Sequence, residues 1–278
     1  MSDASHTEAR AGDGRIRVAV LGAAGRMGTT VCRAVLAADD MELVAAIDPP
    51  HEGQPLEAFG VTGTGLTIEM LGPAMKTRAE PQVAVDFTHM EAARGNLRWC
   101  GMNRVHAVVG TTGLTPSDLQ DLSALFDGDR ANAVVAPNFA IGAVLMMHLA
   151  ALAAPWFESA EIIELHHDAK RDAPSGTAML TAQRMAASSA EWNPDPTETH
   201  TLEGARGGDG PAGIRIHSVR LNGLVAHQEV LLGTTGQSLT IRHDSYDRTS
   251  FMPGVLLAIR EVGQRPGVTV GLDSLLGF

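Results

Sequence analysis

The chain has 278 residues, of which 44% are hydrophobic and 19% charged, a balance typical of a globular protein and not of a disordered one. Its 32 acidic and 21 basic residues give a formal net charge of −11, which argues against nucleic-acid binding and against an anionic membrane surface, since both depend on basic contacts. There is no apolar run of about 18 residues, no apolar N-terminal segment and no cysteine framework, so we expect a cytoplasmic protein without a membrane partner.

The first half of the chain alternates short apolar runs with helical patterns. Residues 1–14 are small and polar and are expected to form a disordered tail. Apolar, β-branched runs predict buried strands, and helices are predicted between them; the strands are at 16–21, 42–47, 82–87, 105–109 and 133–136. This alternation indicates βαβ units, so residues 15–138 are expected to form a Rossmann-type domain with a mostly parallel sheet.

The second half follows a different pattern. An apolar helix at 140–152, a strand at 161–165 and a helix at 175–187 precede a long polar loop at 188–213. Three more strands are predicted at 214–221, 224–232 and 238–242, and their connections, Asn222-Gly223 and 233–236, are typical of hairpins. Residues 139–249 are therefore expected to form an α+β domain with a mixed sheet, and segment 250–278 is expected to pack back on the first domain.

A glycine-rich turn with the spacing G-x-x-G-x-x-G joins the first predicted strand to the first helix. Glycines let the backbone approach a pyrophosphate closely, and the free N–H groups at the helix start then bind it. Asp48 ends the second strand, 20 residues beyond Gly28, where an acidic side chain accepts hydrogen bonds from the adenosine ribose. Together these features predict a dinucleotide site formed by Gly22, Ala23, Ala24, Gly25, Arg26, Met27 and Asp48.

Two later loops are expected at the same edge of the sheet, because ligands of open α/β sheets lie outside the carboxyl ends of the strands. Their residues are Gly110, Thr111 and Thr112 after strand 105–109, and Ala136, Pro137, Asn138 and Phe139 after strand 133–136. Both loops are predicted to contact the nicotinamide half of the cofactor, although their residues would also suit ordinary turns.

Residues that can transfer a proton or bind an anion are most concentrated between positions 164 and 178. His166 and His167 are adjacent at the end of a strand, so their side chains diverge; one can transfer a proton near neutral pH while the other binds an anion. Lys170 offers a positive charge for a carboxylate, or a proton. Ser175, Gly176 and Thr177 open a helix, where free N–H groups form a second anion site.

Other interpretations of this segment lack the patterns that they require. A metal site at His166, His167 and Asp168 would need a third matching cluster or an HExxH pattern, and the sequence has neither, so no metal is predicted. A nucleophilic Ser175 would need the G-x-S-x-G elbow. Two surface histidines beside a capped helix would leave the concentration of anion-binding groups unexplained.

Four segments resemble the dihydrodipicolinate reductase family: GAAGRMG (22–28), GTTG (110–113), APNF (136–139) and ELHHDAKRDAPSGTA (164–178). Segment 224–251 also resembles this family, in its actinobacterial form. The resemblance runs in order from about residue 15 to the C-terminus, and the double-histidine segment is its most specific part. It implies the NADH- or NADPH-dependent reduction of 4-hydroxy-tetrahydrodipicolinate, a cyclic imine dicarboxylate, with loss of water, in lysine and diaminopimelate biosynthesis.

The resemblance also implies roles for individual residues. It makes His166 the proton donor or acceptor and Lys170 a further proton donor or substrate-orienting group. It places the substrate carboxylates at His167 and at the helix start formed by Ser175, Gly176 and Thr177. It implies a homotetramer assembled through the sheet of the second domain. Pro49 and Pro50 stand where some relatives carry a basic residue, so a preference for NADPH is not expected.

Two alternatives remain open from the sequence. An NAD(P)H-binding redox sensor would keep the glycine-rich turn and Asp48 but would not need His166 and Lys170 together. The other alternative is a different Rossmann reductase of amino-acid metabolism, acting on an amino-acid-derived aldehyde or phosphate. The kind that forms an acyl-enzyme from an aldehyde would be expected to use a cysteine, whereas Cys100 lies inside the predicted helix at 90–102.

Overall fold

The computed structural model describes residues 14–111, 113–128, 130–189 and 191–278, so that the predicted tail lies, apart from Gly14, outside the described residues. The chain divides into two compact units. The first extends to Ala136 and includes Leu256–Val270; the second consists of Pro137–Val255 and Gly271–Phe278. The segment 250–278, predicted to pack back on the first domain, is thus divided between the two units.

Eleven strands and eight α-helices are found in the described residues. The strands are β1 (Ile16–Leu21), β2 (Met41–Ile47), β3 (Val83–Asp86), β4 (His106–Val109), β5 (Ala133–Val135), β6 (Ser159–His166), β7 (Gly208–Asp209), β8 (Arg215–Arg220), β9 (Ala226–Thr234), β10 (Gln237–Ser245) and β11 (Val268–Val270). The helices are α1 (Arg26–Leu36), α2 (Pro73–Ala79), α3 (Met90–Met102), α4 (Pro116–Leu125), α5 (Ile141–Ala153), α6 (Gly176–Ser188), α7 (Met252–Glu261) and α8 (Asp273–Leu276).

The first unit contains a six-stranded sheet with the order β11-β5-β4-β3-β1-β2, and all its neighbouring strands are parallel. Val20, Val85 and Val108 are fully buried at the centres of their strands, as expected where helices cover both faces of a parallel sheet. The predicted Rossmann-type fold is confirmed. The edge strand β11 was not predicted, because three residues are too few to show a strand period.

The second unit contains a five-stranded mixed sheet with the order β10-β9-β6-β8-β7, in which only β6 and β8 are parallel. The predicted mixed sheet is confirmed, and β9 and β10 form a hairpin in which Thr234 pairs with Gln237. The hairpin predicted at Asn222-Gly223 is wrong, because β6 lies between β8 and β9. The buried Ile162 of β6 pairs with both Ile216 and Val230, so central packing overrides the local turn signal.

Side chains of β6 alternate between the two faces of this sheet. Ile162 and Glu164 are buried on the face on which α6 packs, whereas Glu161, Ile163 and Leu165 are only partly buried on the other. A fully buried glutamate is exceptional on a core face. Glu164 lies two residues before the end of β6, close in sequence to the two predicted histidines.

Candidate active site

The glycine-rich turn after β1 has the geometry of a pyrophosphate site. Gly22 has a φ of +79°, and a Cβ on Gly28 would lie 1.9 Å from the Gly22 carbonyl oxygen, so the first turn of α1 packs directly against the loop. The N-cap residue Gly25 provides no side-chain cap, which leaves the first N–H groups of α1 available for an anion. The residues present thus fit a dinucleotide, and contact of Gly22–Met27 with it stays a prediction.

Asp48 is tied to this turn. Its Oδ2 accepts a hydrogen bond from the Ala24 N–H at 3.1 Å, and its Oδ1 lies 2.7 Å from Nδ1 of His51. A short 3-10 turn through Pro49 and Pro50 folds His51 back onto the carboxylate. His51 was not among the residues predicted from the sequence, although a histidine three residues after an acid and separated from it by two prolines is itself a turn signal.

The loop after β4 is organised by Asp86, which is 1% exposed. Its Oδ1 accepts hydrogen bonds from the hydroxyls of Thr88 and Thr111 at 2.7 and 3.1 Å, and its Oδ2 accepts one from the Asn96 amide at 2.8 Å. A Cβ on Gly110 would lie 2.0 Å from a ring atom of Phe87, so only glycine fits there. The Thr111 hydroxyl is therefore used inside the protein, and Thr112 lies outside the described residues.

The segment after β5 contains both core and exposed residues. Ala136 and Phe139 are buried, at 1% and 2% exposure, and Pro137 is exposed. The Asn138 amide donates a hydrogen bond to the Thr177 hydroxyl at 3.4 Å. A residue predicted for the cofactor is thus joined to one predicted for the substrate.

Several predicted residues line one small cavity of about 50 Å³ in the second unit. Its lining includes three histidines and four neutral polar residues: His166, His227, His243, Asn138, Ser175, Thr177 and Gln228. About 10–15 Å³ of such volume holds one water molecule, so this recess has room for a functional group of a ligand. His167, Lys170 and Gly176 do not line it. The Oε1 atom of Gln228 is buried there without a hydrogen-bond partner in the described part of the chain.

The start of α6 has the geometry of an anion site. The Ser175 hydroxyl oxygen accepts a hydrogen bond from the Ala178 N–H at 3.2 Å and so acts as the N-cap. The N–H groups of Gly176 and Thr177 lie in the first turn, where an α-helix offers no internal acceptor. A Cβ on Gly176 would meet no atom within 4 Å, so a ligand can approach the backbone at this residue.

His166, the last residue of β6, is held by Glu164. Its Nδ1 lies 2.5 Å from Glu164 Oε2, and its side chain is 15% exposed. Burial lowers the pKa of His166, and the positive charges of Lys170 and Arg220 add to this, while the contact with Glu164 opposes it. The net effect is a pKa below the ordinary histidine value.

Glu164 stays ionised for a physical reason. Burial alone would raise its pKa, but hydrogen bonds from Arg220, Ser218 and His166 outweigh burial and hold the pKa of Glu164 below its ordinary value. Arg220 binds both carboxylate oxygens, at 2.8 and 2.9 Å. No role was predicted for Glu164 or Arg220 from the sequence; the available signal was a glutamate at a core position of β6.

Lys170 and His167 lie in the loop that follows β6. The Lys170 ammonium group is bound by both carboxylate oxygens of Asp172, at 2.9 and 2.8 Å, and this hydrogen bonding lowers the pKa of Asp172. His167 is exposed. The structure thus brings His166, Ser175 and Thr177 together, but it pairs Lys170 with Asp172, a carboxylate for which no role was predicted.

A larger cavity of about 590 Å³ lies at the other end of β6. Its charged side chains are paired with one another: Arg206 binds Glu161, and Arg215 binds Asp195. No histidine is among its described lining residues, and carboxylates already bind both of its arginines. In the described ranges, no three His, Cys, Asp or Glu side chains converge to hold a metal ion, and no helix has the length and apolarity needed to cross a membrane.

Comparisons with known proteins cover nearly the whole chain. Family models described as dihydrodipicolinate reductase, N-terminus and C-terminus, match residues 16–139 and 142–276. A 4-hydroxy-tetrahydrodipicolinate reductase from Nocardia farcinica is 52% identical, over 94% of this chain and 98% of the relative. The corresponding protein from Mycobacterium marinum is 50% identical, over 95% and 100%. A solved dipicolinate-bound dihydrodipicolinate reductase from a Paenisporosarcina species is 43% identical, with a TM-score of 0.83 over 94% of this chain and 99% of that one.

Proposed function

The chain belongs to the dihydrodipicolinate reductase family, NAD(P)H-dependent oxidoreductases of lysine and diaminopimelate biosynthesis, and on that premise we propose how its residues divide the chemistry. The reaction reduces 4-hydroxy-tetrahydrodipicolinate to tetrahydrodipicolinate; it consumes one hydride and one proton and releases one water molecule. Family membership removes the need for a redox-sensor interpretation. A cytoplasmic location stays a prediction.

The assignment of roles rests on one observation: His166 and the start of α6 line the same cavity. Three histidines line this cavity, and we assign the proton to His166 because Glu164 holds its ring and also accepts the Ser175 N–H at the start of α6. The N–H groups of Gly176 and Thr177, with the hydroxyls of Ser175 and Thr177, hold one carboxylate of the substrate. Lys170 and His167, in the preceding loop, hold the other. A relative that binds dipicolinate, itself a dicarboxylate, supports this division.

The activity is tested with the purified full chain. We expect oxidation of NADH, followed by its absorbance, only when the condensation product of aspartate semialdehyde and pyruvate is supplied. Pyridine-2,6-dicarboxylate should inhibit it competitively with that product. Oxidation that does not depend on the condensation product would contradict the assignment.

The nucleotide is proposed to bind in the first unit, where it supplies the hydride. The turn Gly22–Met27 holds the pyrophosphate, and Asp48 accepts from the adenosine ribose. Residues 110–112 and 136–139 are proposed at the nicotinamide. The close approach of Gly28 to Gly22 and the missing side-chain cap of α1 support the first of these placements.

We expect NADH to serve at least as well as NADPH, with kcat/KM values within about tenfold. A 2′-phosphate about 6 Å from the Asp48 carboxylate would be repelled by about 3 kcal/mol at an effective dielectric constant of ~20. The guanidinium group of Arg26 offsets part of this. Asp48→Ala should therefore shift the kcat/KM ratio toward NADPH, and Arg26→Ala should shift it toward NADH. Strict NADPH dependence of the parent enzyme would contradict this prediction.

The enzyme is also proposed to be a homotetramer assembled through the mixed sheet. Ile163, Leu165 and Leu231 are only partly buried on the face opposite α6, whereas Ile162 and Val230 on the helix-covered face are 0% exposed. The same face also carries Glu229 and His217, which pair in register with Ile163, so a second copy of the chain would cover both apolar and polar side chains there.

Ile163→Asp should convert the tetramer to smaller species, because it places charges in the centre of the proposed contact. Light scattering coupled to size-exclusion chromatography measures the mass. Gln120→Asp, on an exposed position of α4, is the control and should keep the parent mass. A tetramer that survives Ile163→Asp would place the contact elsewhere.

A further inference from the structure

Glu164 is the most completely buried carboxylate at the candidate site, at 0% exposure, and its two oxygens are bound by polar groups of the site. Its Oε1 accepts hydrogen bonds from Arg220 at 2.8 Å and from the Ser175 N–H at 3.2 Å. Its Oε2 accepts one from Arg220 at 2.9 Å and lies 2.5 Å from His166 Nδ1. An isolated buried carboxylate is costly, so partners of this number are what keep it there.

We propose that Glu164 and Arg220 form a positioning pair, which orients the His166 ring with Nδ1–H toward Glu164 and leaves Nε2 as the atom that transfers the proton. The proposal rests on the role of His166 proposed above. It adds two residues that act through His166 and not on the substrate.

The tautomer of His166 follows from the state of its partner. Because Arg220 binds both oxygens of Glu164, the carboxylate is an acceptor only, and Nδ1 of His166 must donate to it. Nε2 is then the nitrogen whose protonation changes. This arrangement, a buried carboxylate behind a proton-transferring imidazole, keeps the ring orientation constant through a catalytic cycle.

The same carboxylate also connects His166 to the substrate-binding helix. The Ser175 N–H that reaches Glu164 Oε1 belongs to the N-cap of α6, one residue before Gly176. Arg220 extends the connection to the loop after β6, since it donates a hydrogen bond to the Asp172 carbonyl at 2.6 Å. The Glu164–Arg220 ion pair thus contacts the proton donor His166, the anion-binding start of α6 and the loop that carries Lys170.

The charges that face His166 come from several elements. Glu164 lies on its own strand, Arg220 on β8, and Lys170 with Asp172 in the following loop. His227, whose Nδ1 lies 2.6 Å from Asp244, and His243 line the same cavity from β9 and β10. Glu164 raises the pKa of His166 and Arg220 lowers it. Removal of the Glu164 charge should therefore lower the pKa of His166, and removal of the Arg220 charge should raise it.

The test compares Glu164→Gln and Arg220→Gln in the full chain. The alkaline fall of kcat/KM reports loss of the His166 proton, so we expect Glu164→Gln to move it toward lower pH by about one unit and Arg220→Gln to move it toward higher pH. Both variants should lower kcat about 100-fold, the cost of a misplaced catalytic group. Asp273→Asn is the matched control: the Asp273 carboxylate also binds an arginine, Arg184, through both oxygens, but it lies outside the cavity, and its loss should leave the profile unmoved.

Reduced thermal stability with an unmoved pH profile would make the pair merely structural and overturn the proposal. Should Glu164→Gln fail to fold, nitrogen NMR of histidine-labelled parent enzyme decides the same question, because it reports which ring nitrogen of His166 carries the proton. Protonation of Nε2 in the neutral ring would overturn the proposal. A His166→Gln enzyme that keeps the parent alkaline limb would instead refute the proposed role of His166, independently of Glu164.

Discussion

His166→Gln is expected to lower kcat by about 10²–10⁴-fold, the usual cost of a lost general acid. Glutamine can still accept or donate a hydrogen bond, so the affinity for nucleotide and for a dicarboxylate inhibitor should change little. Steady-state kinetics with saturating NADH, together with inhibitor titration, separates the two effects. Unchanged kcat would remove His166 from the chemistry.

The proposed role of His166 also predicts how kcat/KM depends on pH. A proton donor works only while protonated, and burial lowers the pKa of His166 from the ordinary histidine value. In the parent enzyme, kcat/KM should therefore begin to fall at a lower pH than an exposed histidine would produce, and His166→Gln should abolish this limb. His106→Gln is the matched control, because burial also lowers the pKa of His106, but this histidine lies in the first unit and outside the cavity.

Lys170→Ala is expected to weaken the binding of pyridine-2,6-dicarboxylate by about 10- to 150-fold. The loss of one charge-assisted hydrogen bond is worth about 1.5–3 kcal/mol, and 1.4 kcal/mol corresponds to a factor of ten. Calorimetric titration in the presence of nucleotide measures the dissociation constant. An unchanged constant would show that Lys170 does not reach the ligand.

A variant of Asp172 serves as the comparison for Lys170→Ala. Its carboxylate competes for the Lys170 ammonium group, which it binds at 2.8 and 2.9 Å. Asp172→Asn should therefore leave inhibitor binding unchanged or strengthen it, in contrast to Lys170→Ala. Weakening by both variants to the same extent would indicate that the pair only shapes the loop.

Much of the fold could be predicted because its determinants are local. The β-branched runs that became β1 to β5 are buried on both faces and read directly as parallel strands. The glycines at 22 and 28 are required by a contact within one turn, so their spacing alone identified the loop. His166 and Ser175–Thr177 were found because strand end and helix start are close in the sequence.

Other features depended on residues far apart in the chain. The order of the second sheet was decided by Ile162, which is buried between Ile216 and Val230, and this pairing outweighed the Asn222-Gly223 turn. The sixth strand of the first sheet, β11, exists because Val268–Val270 pairs with Ala133–Val135. Three residues have no period to recognise, and their conformation comes from the partner strand.

The sequence by itself determined the two fold classes, the glycine-rich turn with its acid, and the proton- and anion-binding residue types after β6, because these depend on residue spacing and on the chemistry of single side chains. Only the tertiary structure decided which charges meet. It placed His51 on Asp48, Asp172 on Lys170, and Arg220, 56 residues away, on the buried Glu164. The strength of an electrostatic interaction depends on distance and burial, and for residues far apart in the chain both are set by packing.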